Sequence, residues 1–169
     1  MKLAYSPNSP YVRKVMACAI IRGLDGQIEK WTIAASDAQV AARNPLAKVP
    51  TLITDDGMAL FDSPVICEYI DSLGSAPKLF PAAGPARWNA LRQQAQADGI
   101  MDASQPRRRE IALPQDDGRK EYIATQRLKV DRAVAAFEDA YAVAAAAGHD
   151  GVASEAASML SFIVGERQA

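Results

Sequence analysis

Asn44-Pro45-Leu46-Ala47-Lys48-Val49-Pro50-Thr51-Leu52, followed by Phe61-Asp62-Ser63-Pro64-Val65-Ile66, carries the most structural information in the chain. The first stretch runs from a proline-punctuated loop into an apolar strand pattern. Val49-Pro50 stands at that loop-to-strand junction, where a cis X-Pro bond turns the chain and leaves the preceding amide and carbonyl free to pair with an extended ligand. In the second stretch, Asp62-Ser63-Pro64 reads as strand end, N-cap and first helical position. Ser63 caps, and Pro64 lacks the amide that a helix start leaves unused. The N–H groups and positive dipole end there favour a carboxylate or phosphate. Asp62 is placed to hold an ammonium. A carboxylate and an ammonium on one carbon, beside a peptide-like backbone, describe an amino acid or a short peptide.

Working outward, Lys2 to Tyr5 reads as a strand and Ser6-Pro7-Asn8 as a turn. Ser9-Pro10 opens a helix in which Val12, Val15, Met16 and Ala19 form one apolar stripe and Gly23 marks the stop. Ile28 to Ile33 alternates as a second strand around Trp31, and a short helix is expected from about Ser36 to Arg43. Thr51-Leu52-Ile53 and Met58 to Phe61 flank Thr54-Asp55-Asp56-Gly57 as a hairpin. The helix after Ser63 turns Val65, Ile66, Tyr69, Ile70 and Leu73 inward and ends at Gly74. This order, βαβ-α-ββα, is that of an α/β thioredoxin-like domain.

That domain occupies residues 1–76. Residues 77–85, with Pro77, Pro81, Gly84 and Pro85 in or beside them, read as a linker. Residues 86–169 read as an all-α helical domain that is incomplete. Its first helix carries Trp88, Leu91, Ala95 and Met101 as an imperfect stripe, weakened by Gly99. A long second helix from about Asp117 to Ala147 carries Ile123, Val130, Val134, Phe137 and Tyr141.

Composition narrows the function classes. The 169 residues are 49% hydrophobic and 23% charged, as in ordinary globular proteins. A formal charge of −1 leaves no electrostatic footprint for nucleic acid or an anionic membrane. Arg107-Arg108-Arg109-Glu110 lacks interleaved aromatics and reads as a solvated face. Cys18 and Cys67 show no metal or CxxC spacing and read as small core residues, and no metal site is expected. The absence of an apolar run near ~18 residues argues against a membrane span and makes a cytoplasmic setting the default expectation.

Three segments together resemble the glutathione S-transferase family, especially bacterial members with serine at the active centre. They are Ser6-Pro7-Asn8-Ser9-Pro10-Tyr11-Val12-Arg13-Lys14-Val15, Asn44 to Thr51, and Phe61 to Ile70. The resemblance covers the first half of the chain and continues weakly through Ala97-Asp98-Gly99-Ile100-Met101-Asp102. Family members usually continue through a buried capped helix and further helices, which the sequence after Gly148 does not show. The long helix is therefore expected to lack its usual cover, and each large side chain left exposed forfeits roughly 1.5–3 kcal/mol.

The resemblance implies glutathione as co-substrate, no other cofactor, a hydrophobic electrophile as second substrate, and a homodimer built on the helices after Ser63 and Pro85. It implies that Ser9 donates a hydrogen bond to the glutathione thiolate at the start of the first helix, so that the substrate's own sulfur is the nucleophile. Tyr5 and Ser6 remain alternatives for that contact. The Val49 backbone would pair with the cysteinyl part, Asp62 and Ser63 would hold the γ-glutamyl end, and Lys48 would reach the glycyl carboxylate, with Pro50 as the structural cis-proline. Ser9 as a covalent nucleophile lacks a base, since the one histidine, His149, lies in the tail. A thioltransferase would need a cysteine at position 9. A non-catalytic glutathione-binding or scaffold protein of the same fold is the alternative to an enzyme.

Overall fold

The computed structural model describes residues 1–33 and 38–146. Contacts divide the chain into two compact units, Met1–Gln94 and Ala95–Ala169. The first contains β1 (Lys2–Tyr5), α1 (Pro10–Ile21), β2 (Glu29–Thr32), α2 (Ala38–Ala41), β3 (Thr51–Ile53), β4 (Ala59–Leu60) and α3 (Ser63–Ser72), with a 3-10 turn at Asp25–Gln27. The four strands lie in the order β2-β1-β3-β4. β1 and β2 are parallel, as a crossover through α1 requires, whereas β3 pairs antiparallel with both β1 and β4. This is the thioredoxin-like arrangement anticipated from the pattern. The second strand and the short second helix are narrower than the sequence suggests, and residues 36 and 37 lie outside the described set.

Leu3 of β1 and Leu52 of β3 are directly paired and fully buried, so the centre of the sheet is also the centre of the core. Val12, Val15, Cys18 and Ala19 of α1 and Ile66, Cys67 and Ile70 of α3 cover that face. α1 ends as its glycine foretold. Gly23 has φ +66, its N–H donates to the Ile20 carbonyl at 2.9 Å, and the Leu24 N–H donates to Ala19 at 2.8 Å. These are the paired bonds of a Schellman stop, with buried Leu24 as its apolar anchor.

Two charged residues that the sequence does not single out tie the segment after α3 in place. Arg22 and Asp71 are each only 3% exposed. The Arg22 Nε lies 3.2 Å from Asp71 Oδ1, an ion-pair contact without hydrogen-bond alignment. The rest of the guanidinium donates to the carbonyls of Leu73, Ala76 and Pro77. The Asp71 carboxylate accepts the amides of Leu79 and Phe80 at 2.8 and 3.0 Å. Residues 73–80, which include the first part of the expected 77–85 linker, are thus fastened to the ends of α1 and α3.

α4 (Gly84–Ile111) runs on through Gly99 and Pro106, and α5 is Asp117–Ala146. Trp88, expected on an inward stripe, is 68% exposed, while its neighbour Arg87 reaches Glu68 Oε2 at 2.8 Å. Within the second unit, Ile100 of α4 packs against Val134 and Phe137 of α5, supported by Ala97, Val130 and Ala133. Gln96 adds a hydrogen bond to the Ala133 carbonyl at 2.9 Å. The expectation that the α5 stripe lacks cover is therefore corrected for Val134 and Phe137, because α4 supplies the partner surface. Val130 is half-buried against the same cluster and Ile123 is half-buried, whereas the Tyr141 side chain and residues 147–169 lie outside the described residues.

Candidate functional site

Strand direction gathers the scattered motifs. β1 ends at Tyr5, β3 begins beside it at Thr51, and β4 ends at Leu60 opposite Leu52. Continuing the β1–β3 register by one residue sets Tyr5 level with Pro50, and continuing the β3–β4 register by two sets Pro50 level with Asp62. The Ser6–Ser9 turn, the Val49–Pro50 bend and the start of α3 therefore share one end of the sheet. With strands ~4.8 Å apart, that row spans roughly 10 Å of backbone, the length of an extended tripeptide at ~3.3 Å per residue.

Ser9 is the N-cap of α1. Its backbone is extended (φ −85, ψ 119) and its Oγ accepts the Val12 N–H at 3.3 Å. The Ser9 N–H in turn donates to Ser6 at 3.1 Å, closing the turn after β1. An N-cap hydroxyl uses only its acceptor lone pair, so the partly exposed Ser9 keeps an O–H to give to an anion. The dipole of α1 favours negative charge at the same point.

The Val49–Pro50 peptide bond is cis. Val49 is half-buried and lies beyond the last β1–β3 ladder pair, while Pro50 is buried. The loop leading to it is organised by Asn44, a residue within the quoted motif to which the sequence attached no separate role. Asn44 is 1% exposed. Its Nδ2 donates to the Lys48 carbonyl at 3.2 Å and to Thr51 Oγ1 at 2.9 Å, and its Oδ1 accepts the Leu46 N–H at 2.9 Å. The Thr51 hydroxyl donates to the same Lys48 carbonyl at 2.9 Å. Ala47 sits at φ +50, a left-handed conformation that lets the loop fold over Asn44. Lys48 thus has its carbonyl held inward and its side chain exposed. An asparagine directly after a short helix and before a proline was the available signal.

At α3 the capping assignment changes. Asp62, not Ser63, is the N-cap, and its side chain makes no capping hydrogen bond. Ser63 is the first helical residue and is 1% exposed, and Pro64 is the second. The reason is conformational, since Asp62 has the extended backbone of a cap and its carbonyl already accepts the Ile66 amide at 3.1 Å. The peptide bond before Asp62 is also cis. Asp62 is exposed and stands at the N-terminus of α3, next to the first-turn amides of that helix. Among the described residues no group of acidic, histidine or cysteine side chains is arranged to hold a metal ion. Among them no helix is long and apolar enough to cross a membrane.

Comparison with known proteins agrees with the fold. The family profile described as "Glutathione S-transferase, N-terminal domain" matches residues 8–73. The uncharacterized GST-like protein YibF of Escherichia coli K12 is 36% identical over 138 residues, which is 82% of this chain and 68% of that protein. A glutathione transferase family member from Pseudomonas fluorescens Pf-5, solved with bound glutathione, is 36% identical, with 98% of this chain and 81% of that one covered and a TM-score of 0.80. A structure of a family member from the same organism with bound S-(propanoic acid)-glutathione aligns at 36% identity over the same shares of both chains, with a TM-score of 0.78. On its motifs, its sheet order and these relatives, the chain belongs to the glutathione S-transferase family.

Proposed function

We propose that this protein binds glutathione across the sheet end of residues 1–76 and activates its thiol for attack on a hydrophobic electrophile. The observation that carries the proposal is the convergence of the Ser9 cap, the Val49–Pro50 bend and the Asp62–Ser63 helix start on one row about a tripeptide long. The Val49 backbone pairs with the cysteinyl unit, the Asp62 carboxylate takes the γ-glutamyl ammonium, and the first-turn amide of Ser63 takes the γ-glutamyl carboxylate. Exposed Lys48 reaches the glycyl carboxylate. Support comes from the relatives whose structures hold glutathione and S-(propanoic acid)-glutathione.

Ser9 then donates its O–H to the glutathione sulfur. Lowering a thiol pKa from ~8.5 by two units takes about 2.7 kcal/mol, within reach of one charge-assisted hydrogen bond and a helix terminus. The thiolate attacks the electrophilic carbon, its electron pair forms the C–S bond, and the electrophile's leaving group departs with the displaced pair. Titration calorimetry on the folded protein tests the binding step, and absence of glutathione binding rejects it. A second reading, binding without catalysis, is favoured by one observation: Ser9 Oγ already serves α1 as a cap, as a purely structural serine would. Conjugation of a chlorodinitrobenzene-type substrate by wild type and by Ser9→Ala separates the two.

The partly or fully exposed faces of α3 and the start of α4, with Val65 at 47% and Trp88 at 68%, support a homodimer built on these helices. Light scattering that finds only monomer at micromolar concentration counts against it.

A further inference from the structure

Cys18 of α1 and Cys67 of α3 take no part in the site above. Both are free thiols turned into the seam between the two helices, 6% and 3% exposed. The Cys18 Sγ lies 3.6 Å from the Cys67 carbonyl oxygen, so the Cys18 thiol meets Cys67 across the seam. That contact is the main reason the Cys18 thiol sits below its ordinary range. Arg22 and Lys14 pull the same way, against burial and Asp71. Both cysteines belong to one buried cluster formed by α1 and α3, which keeps the two side chains on facing helix surfaces.

We propose that Cys18 and Cys67 are a reversible oxidation site, closed to an intramolecular disulfide by a small hydroperoxide. The Cys18 thiolate attacks one oxygen of hydrogen peroxide, the O–O bond breaks, and the other oxygen leaves as hydroxide, which is protonated to water. Cys18 is then a sulfenic acid. The Cys67 sulfur attacks the Cys18 sulfur and displaces that hydroxyl, which leaves as water with the Cys67 proton. Two thiols have given up two electrons and the peroxide has accepted them. Two successive attacks by a reducing thiol restore both cysteines. Burial selects a small oxidant and makes the reaction slow. The closed loop, 49 residues apart in sequence, contains both the Asn44–Thr51 loop and the start of α3, so the bond restrains the segments that shape the candidate site.

The test is peroxide treatment of the full purified chain, followed by denaturation, alkylation and intact-mass measurement. The expected result is loss of both alkylatable thiols in the monomer and their return after dithiothreitol. The oxidised chain should also melt several degrees higher than the reduced one. Cys67→Ala should instead trap Cys18 as a dimedone-reactive sulfenic acid, which wild type does not accumulate. Two thiols still open to alkylation in treated wild type, or disulfides found only between chains, would overturn the proposal. The wild-type measurement needs no variant to fold, and it does not depend on whether glutathione binds.

Discussion

Replacing Asn44 by alanine probes the loop on which the site reading rests. The change removes three hydrogen bonds, from Nδ2 to Lys48 and Thr51 and from the Leu46 amide to Oδ1. At a net 0.5–1.5 kcal/mol each, the loss is about 3 kcal/mol. The Thr51 hydroxyl retains the Lys48 carbonyl, and exposed Leu46 lets water reach its amide, which keeps the cost near that figure. Against a typical ~5–15 kcal/mol the unit stays folded. The loop no longer holds Ala47 at positive φ, and ordering it must then be supplied by the ligand. If about half of the loss is moved onto binding, glutathione affinity falls by roughly tenfold, since 1.4 kcal/mol is a factor of ten. Calorimetric titration beside urea denaturation separates the two effects. A variant that loses stability but binds glutathione within twofold of wild type would refute the idea that Asn44 presents Val49.

Ser9→Ala should raise the pKa of bound glutathione by about 1–2 units, the equivalent of one charge-assisted hydrogen bond of ~1.5–3 kcal/mol. It should also cost about 1 kcal/mol of stability as a lost cap. Thiolate absorbance followed against pH reads the first effect and denaturant melting the second, and a melting change alone would leave Ser9 as a cap only. Asp71→Ala strands the buried Arg22 charge and frees two amides, so it should cost about 3–5 kcal/mol. Arg22→Met, alone and combined with Asp71→Ala, completes a double-mutant cycle in which the double variant should lose less than the sum of the two singles; additive losses would contradict the coupling. Ala47→Gly relieves a left-handed alanine, worth ~1 kcal/mol, against ~0.4–1 kcal/mol of added unfolded-chain entropy. The expected result is a stability within about 0.5 kcal/mol of wild type, and a larger drop in urea melts would show that position 47 bears no strain.

Local chemistry made much of this protein legible from its residues. The Ser-Pro helix start at residue 9, the Gly23 stop, the hairpin around Gly57 and the alternation of the short strands each depend on neighbours a few positions away. Their order named the thioredoxin-like unit. The cap at α3 was misplaced by one residue because Asp and Ser are equally good caps, and only backbone angles tell which one occupies the position. The pairing of Arg22 with Asp71 and the meeting of Cys18 with Cys67 both join residues far apart in sequence. No periodicity records such contacts. The role of Asn44 depends on where its amide points once Thr51 is locked into β3. Strand register did the rest, since a shift of one residue would move Tyr5, Pro50 and Asp62 out of line. Local sequence sets the elements and their side-chain chemistry, while the long-range strand pairing brings them together at one end of the sheet.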